Sequence, residues 1–134
     1  MKELGPFSWT VTQQQIDGYA AAAGANDPIH VDPVGRARAG GTIAQGMLVL
    51  AVMAEFVANS VPNGAAWREG GSLDVRFRAP ARPGERLTVR AAPSPQSDEP
   101  RPEGCATYDL SCENDAGVKI IAGTARIPLA ALST

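Results

Sequence analysis

The sequence predicts an α+β fold in which an antiparallel sheet wraps around one apolar helix. Three observations carry this prediction. The segment from about Ala44 to Ser60 is apolar on nearly every side, with Met47, Leu48, Val49, Leu50, Val52, Met53, Phe56 and Val57, so it must be buried from several directions. Four segments of the second half alternate apolar and polar residues with the period of a half-buried strand. A chain of 134 residues has the length of one domain, so those strands are what is available to cover the helix. We therefore expect a single domain over residues 1–134.

Composition narrows the functional classes. Hydrophobic residues make up 44% and charged residues 19%, a globular balance. The formal net charge of −2 argues against bulk affinity for nucleic acid or an anionic membrane. The longest strongly apolar stretch, Met47 to Ala58, is shorter than a membrane span and contains Glu55. The opening residues MKELGPFSWT lack the apolar core of a secretory signal, so the expectation is a soluble cytoplasmic protein. One histidine and two cysteines do not make the usual structural zinc patterns, and no cofactor is implied. Cys105 and Cys112 are spaced by an odd number, so on one strand they would face opposite ways and not pair.

Along the chain, Phe7, Trp9 and Val11 alternate with Ser8 and Thr10 as a first strand. Thr12 and Gln15 form a Thr-x-x-Gln capping box, and the helix it opens carries Ile16, Tyr19, Ala20 and Ala23 at helical spacing up to Gly24. Ala25-Asn26-Asp27-Pro28 is turn chemistry, with His30 just beyond it. Asp32-Pro33 reads as the start of a short second helix that ends at Gly40-Gly41. A second capping box, Thr42 to Gln45, would start the central helix early. The later start, nearer Ala44 or Gln45, is preferred because Gly40-Gly41-Thr42 continues the turn. Pro62-Asn63-Gly64 ends that helix.

The four later strands carry inward sets Leu73, Val75, Phe77; Leu87, Val89, Ala91; Ala106, Tyr108, Leu110, Cys112; and Ile121, Ala125, Ile127. Arg82-Pro83-Gly84-Glu85 and Asn114-Asp115-Ala116-Gly117 read as hairpin loops. Pro93 to Pro102 reads as an exposed, poorly ordered loop, since it has almost nothing apolar to bury. Trp9 and Trp67 are read as packing or dimer contacts.

The order of these elements resembles the hotdog fold, and three blocks resemble the MaoC-like dehydratases, the (R)-specific enoyl-CoA hydratases. Tyr19 to Asp32, with Gly24-Ala25-Asn26-Asp27-Pro28-Ile29-His30, is similar to the family signature Ser-Gly-Asp-x-Asn-Pro-aliphatic-His. Gly41-Thr42-Ile43-Ala44-Gln45-Gly46-Met47-Leu48 is similar to its Ile-Ala-His-Gly-Met-Leu helix start. Ser72 to Pro80 with Pro83-Gly84-Glu85 is similar to its strand leading into a Pro-x-x-x-Gly-Asp/Glu hairpin. The resemblance implies water addition to an enoyl thioester, or its removal from a 3-hydroxyacyl thioester, by an Asp/His dyad. A backbone N–H at the start of the central helix would polarise the thioester carbonyl, where enolate charge develops.

The signature departs from the family at its centre. Counting back from His30, Ala25 stands at the place of the family's catalytic Asp, Asp27 at that of its Asn, and Gln45 at that of a His. The site residues expected on this basis are His30 as acid/base, Asp27 as its displaced partner and the Gly46 N–H as carbonyl donor. Asn26 and Gln45 would be substrate contacts. Asp27 is equally readable as an Asx-turn residue. Arg76, Arg78, Arg86 and Arg90 are either a solvated sheet face or contacts to a nucleotide phosphate or an acidic carrier. The expected ligand is an acyl-CoA or acyl-carrier-protein thioester, and exposed sheet edges point to a homodimer. A non-catalytic acyl-binding or partner subunit, and a hotdog thioesterase, are the alternative functions.

Overall fold

In the computed structural model, residues 2–32, 41–95 and 104–133 are described. Strand β1 (Leu4–Thr10) leads into helix α1 (Gln13–Ala23) and a single helical turn, α2 (Pro28–Val31). The central helix α3 (Gly46–Ser60) is followed by α4 (Gly64–Gly70). Strands β2 (Ser72–Phe77), β3 (Arg86–Pro93), β4 (Cys105–Asn114) and β5 (Lys119–Pro128) follow, and a short turn α5 (Leu129–Leu132) comes last. The five strands form one antiparallel sheet in the order β1-β3-β4-β5-β2. The expected α+β class, with the sheet packed on an apolar central helix, is what the structure has.

The inward sets of β3 and β4 are buried as their alternation predicts, from Leu87, Val89 and Ala91 to Ala106, Tyr108, Leu110 and Cys112. They meet Val49, Met53, Phe56 and Val57 of α3 in a core that Val11 and Ile16 extend. Among the described residues no helix is long and apolar enough to cross a membrane.

The structure corrects some of these expectations and completes others. The loop at Arg82–Glu85 is not a hairpin: β2 pairs with β5 at one edge of the sheet, while β3 pairs with β1 and β4 at the other side. Alternation identifies a strand's faces, not its neighbours. Pro62-Asn63-Gly64 ends α3 but at once opens α4, because the Asn63 side chain accepts the Ala66 N–H (3.1 Å) as an N-cap. Trp67, on that helix, is buried, and its indole N–H donates to the Ala54 carbonyl (3.0 Å), so it packs within the chain. Helix α3 is not enclosed on all sides: Met47 and Ala51 remain exposed, in line with Glu55 and Asn59. Phe77, expected to point inward, is 55% exposed.

The helix read from Asp32-Pro33 lies outside the described residues. So does most of the Pro93–Pro102 loop, although its start is not loose: Pro93 ends β3, and Ser94 is buried with its N–H on the Thr107 carbonyl (3.0 Å). Cys105 and Cys112 are both free thiols. Burial, with Glu113 beside it, pushes the Cys112 thiol up to about 12.

Candidate functional site

Helix α1 supplies the scaffold for the overhang that carries the histidine. Its expected capping box is present: the Gln15 N–H donates to Thr12 Oγ1 (3.1 Å) and the Thr12 N–H to Gln15 Oε1 (3.2 Å). It stops at Gly24, whose φ of 71° is the left-handed conformation that glycine adopts without strain. Where the sequence suggested an irregular loop, Pro28–Val31 closes one helical turn. Pro28 occupies the first helical position, where its missing N–H costs nothing, and the His30 N–H reaches the Asp27 carbonyl (2.9 Å).

A four-residue turn does not hold itself; two outside contacts hold it, and a third braces one of them. Gln13 Nε2 donates to the His30 carbonyl (2.9 Å). The Thr42 hydroxyl donates to Gln13 Oε1. The Ile43 N–H donates to the Ile29 carbonyl (3.1 Å).

The return contact fixes the imidazole. His30 Nδ1 lies 2.8 Å from the Ile43 carbonyl oxygen. A carbonyl can only accept, so Nδ1 carries the proton, and in the neutral ring Nε2 is left as the free acceptor.

Helix α3 begins at Gly46, the later of the two expected starts, with Gln45 as N-cap and no side-chain cap bond. The Leu48 and Val49 N–H groups both turn back to the Gln45 carbonyl (3.1 and 3.3 Å). The N–H groups of Gly46 and Met47 have no helical carbonyl behind them and sit at the positive end of the helix dipole.

His30 and Gly46 share the wall of one pocket of about 650 Å³, within the range of small-molecule sites. Its other walls are mainly apolar, from Ile43, Val49, Phe77, Ala81 and Ile121, and Arg78 is its other charged or titratable side chain besides His30. The arrangement offers a fixed base, two unpaired backbone donors and an apolar wall.

The remaining expected site residues do not line this pocket. Asp27 is exposed at the N-cap of α2; its carboxylate makes no cap bond, and no hydrogen bond joins it to His30. Asn26 is exposed. Gln45 is buried, with Nε2 shared between the Ile16 (3.1 Å) and Ala25 (3.3 Å) carbonyls, so its amide ties α1 and the overhang to the start of α3. Its Oε1 is buried without a partner. Arg76, Arg86 and Arg90 are exposed on the sheet strands.

Sequence reading passed over Gln13, Thr42 and the Ile43 carbonyl, which position His30 from a distance along the chain, and nothing local marks them. It also missed Phe77 as a pocket residue; its place as the last residue of β2, where alternation ends, was the one available signal.

This sheet-and-helix arrangement, with a pocket at the free end of the central helix, defines a hotdog-fold domain. The model of the MaoC-like domain family matches residues 4–109, and the chain belongs to that family. Among solved structures it is similar to the R-hydratase PhaJ1 from Pseudomonas aeruginosa (23% identity, 95% of this chain and 79% of that chain, TM-score 0.78). It is similar also to the (R)-hydratase from A. caviae involved in PHA biosynthesis (17% identity, 95% of each chain, TM-score 0.75). A third likeness is the HadBC (3R-hydroxyacyl-ACP dehydratase) complex from Mycobacterium tuberculosis (16% identity, 92% of each chain, TM-score 0.66). At these identities the likenesses show the fold. No curated protein matches the chain.

Proposed function

We propose that the chain is an acyl-thioester hydratase or dehydratase, one MaoC-like domain over residues 1–134. The observation that carries this reading is His30 and the Gly46 N–H on one pocket, with the imidazole held in a single tautomer by the Ile43 carbonyl. Hydration then runs as follows. The thioester oxygen of a 2-enoyl substrate sits against the N–H groups of Gly46 and Met47. His30 Nε2 takes a proton from water as the water oxygen bonds C3. The C2=C3 electron pair moves toward the carbonyl and forms an enolate that the helix end stabilises. His30 Nε2 then returns its proton to C2, which leaves the imidazole neutral again, and dehydration is the reverse. Asp27, three residues before His30, stays the carboxylate proposed to hold the water or the imidazolium, although its side chain stands outside the pocket wall and would have to turn toward it. Asn26, exposed on the overhang, is proposed as a substrate contact, and Gln45 as the buried tie behind it.

The similar solved proteins include (R)-hydratases and a 3R-hydroxyacyl-ACP dehydratase, and on that likeness CoA and carrier-protein thioesters are both proposed as substrates. Partnering follows from β2, an edge strand paired on one side only, beside the exposed Met47 and Phe77. A homodimer is proposed, and a monomer by analytical ultracentrifugation at micromolar concentration would count against it.

The test of the activity is hydration of crotonyl-CoA by wild type and His30→Ala. We expect a loss of roughly 10²–10⁴-fold, the usual contribution of a positioned general base. Equal rates would remove His30 from the reaction. One observation favours a second reading, a non-catalytic acyl-thioester-binding subunit: Ala25 stands where the family has its acid, and no carboxylate is bonded to His30. Acyl-CoA binding with no turnover by wild type would establish it.

A further inference from the structure

We propose that Phe77 determines the specificity of the pocket, as a wall at the helix end that admits acyl groups unbranched at C2 and excludes those carrying a substituent there. The inference rests on the thioester reading above but does not require turnover.

Phe77 is the last residue of β2, paired with Ile121 on one side and with nothing on the other. Immediately after it the chain leaves the sheet: the N–H groups of Arg78 and Ala79 both converge on the Ile120 carbonyl (2.8 and 3.3 Å). The side chain does not join the core. It stays 55% exposed, yet its ring is seated on the start of α3: Cδ1 and Cε1 lie 2.8 Å from where a Cβ on Gly46 would be. No side chain fits at residue 46 while the ring is there, so glycine and ring form one contact. The ring also lines the same pocket as His30.

That places an aromatic edge beside the N–H groups that would receive a thioester oxygen. The atoms of the acyl group nearest that oxygen are the carbonyl carbon and C2. A straight chain carries only hydrogen beside its backbone at C2 and continues along the apolar wall of Val49, Ala81 and Ile121. A methyl group on C2 competes with the ring for the same space, so admitting it requires the ring to leave its seat on Gly46.

The experiment compares binding of butyryl-CoA and 2-methylbutyryl-CoA by calorimetry. Both are saturated thioesters, so hydration does not enter. Wild type should bind the straight acyl-CoA about tenfold or more tightly than the branched one, and Phe77→Ala should bring the two within about threefold. A thermal melt and a sedimentation profile of Phe77→Ala close to wild type confirm that the exposed side chain was holding neither the fold nor the proposed dimer. Gly46→Ala alone should weaken butyryl-CoA binding, and adding Phe77→Ala should restore it, because the new methyl then has room.

Equal wild-type affinities, no wild-type binding of either probe, an unchanged ratio in Phe77→Ala, or no repair of Gly46→Ala would each overturn the assignment. Failure of crotonyl-CoA hydration with the discrimination intact would remove the enzymatic reading and leave the wall in place.

Discussion

Gln45 is the residue whose substitution tests the site's framework most directly. Its side chain is 4% exposed, and its Nε2 faces two carbonyl oxygens, those of Ile16 and Ala25. Gln45→Glu keeps the shape and exchanges that donor for a carboxylate oxygen. Burial of a carboxylate at such a place lifts its pKa by about 3 units or more, and each unit corresponds to about 1.4 kcal/mol. The penalty near pH 8 is therefore about 4 kcal/mol. The dipole of α3 favours a negative charge at its N-cap, by about 0.3–1 kcal/mol, which does not reverse the sign.

Thermal unfolding of a chain this size loses about 3–4 °C per kcal/mol, so Gln45→Glu should melt about 10–15 °C below wild type at pH 8. The pH dependence carries the diagnosis. The folded-state carboxyl is raised above the unfolded value of about 4.3, so the folded protein holds its proton longer. At pH 4 both states are protonated, and the acid can donate to one of the two carbonyls, so the deficit is smallest. It grows as pH rises above about 4.3 and levels off beyond the folded value.

Gln45→Met is the uncharged control. It loses two hydrogen bonds of about 1 kcal/mol each but also removes the buried, unpartnered Oε1, whose desolvation costs about 1–3 kcal/mol, so it should stay near wild type. Differential scanning fluorimetry across pH 4–8 reads all three. A Gln45→Glu protein within 2 °C of wild type at pH 8, or one with a deficit independent of pH, would refute the claim that this amide ties the overhang to the helix.

Three other outcomes are expected. Ala25→Asp should raise crotonyl-CoA hydration by tenfold or more, since it restores an acid at the family's position; Asp27→Asn measured beside it tells whether the natural carboxylate already serves, and no gain with an active wild type would favour Asp27. The Cys112 thiol, pushed up to about 12 while its unfolded value is about 9, makes stability flat below pH 9 and falling above it by up to about 1.4 kcal/mol per pH unit; Cys112→Ala should remove most of that slope, with Tyr108, also raised by burial, contributing only at still higher pH. In the folded protein at pH 8, iodoacetamide should label the half-buried Cys105 and spare Cys112, as peptide mass mapping would show.

What the sequence conveyed was whatever its chemistry settles locally. The Thr12–Gln15 box, the stop at Gly24 and the alternation of β3 and β4 are statements about neighbours three or two residues apart, and all appear as read. Helix α2 was missed because four residues with a proline at the first position show no period. Helix α4 was missed because Asn63-Gly64 looks the same as a breaker and as a cap. The site was half legible. His30 and Gly46 belong to motifs, but Gln13, Thr42 and Phe77 acquire their roles only through contacts that the fold brings from elsewhere. Gln45 was read as a substrate contact, and packing turns its amide inward onto the Ile16 and Ala25 carbonyls.

The contacts that set the pocket's geometry are made by backbone groups and amides, not by the acid that the chain lacks at Ala25. The imidazole is oriented by the Ile43 carbonyl, its turn is held by Gln13 and Ile43, and the overhang is tied to the helix start through the Ala25 carbonyl, which alanine offers as well as aspartate does. Replacing an aspartate by alanine at this position therefore removes a proton carrier without removing a strut. The frame, the helix-end donors and the apolar wall persist together, so loss of the acid and loss of binding are separable events in this chain. That separation is why the enzymatic and the binding-subunit readings share one site, and why affinity for a thioester, measured apart from turnover, bears on both.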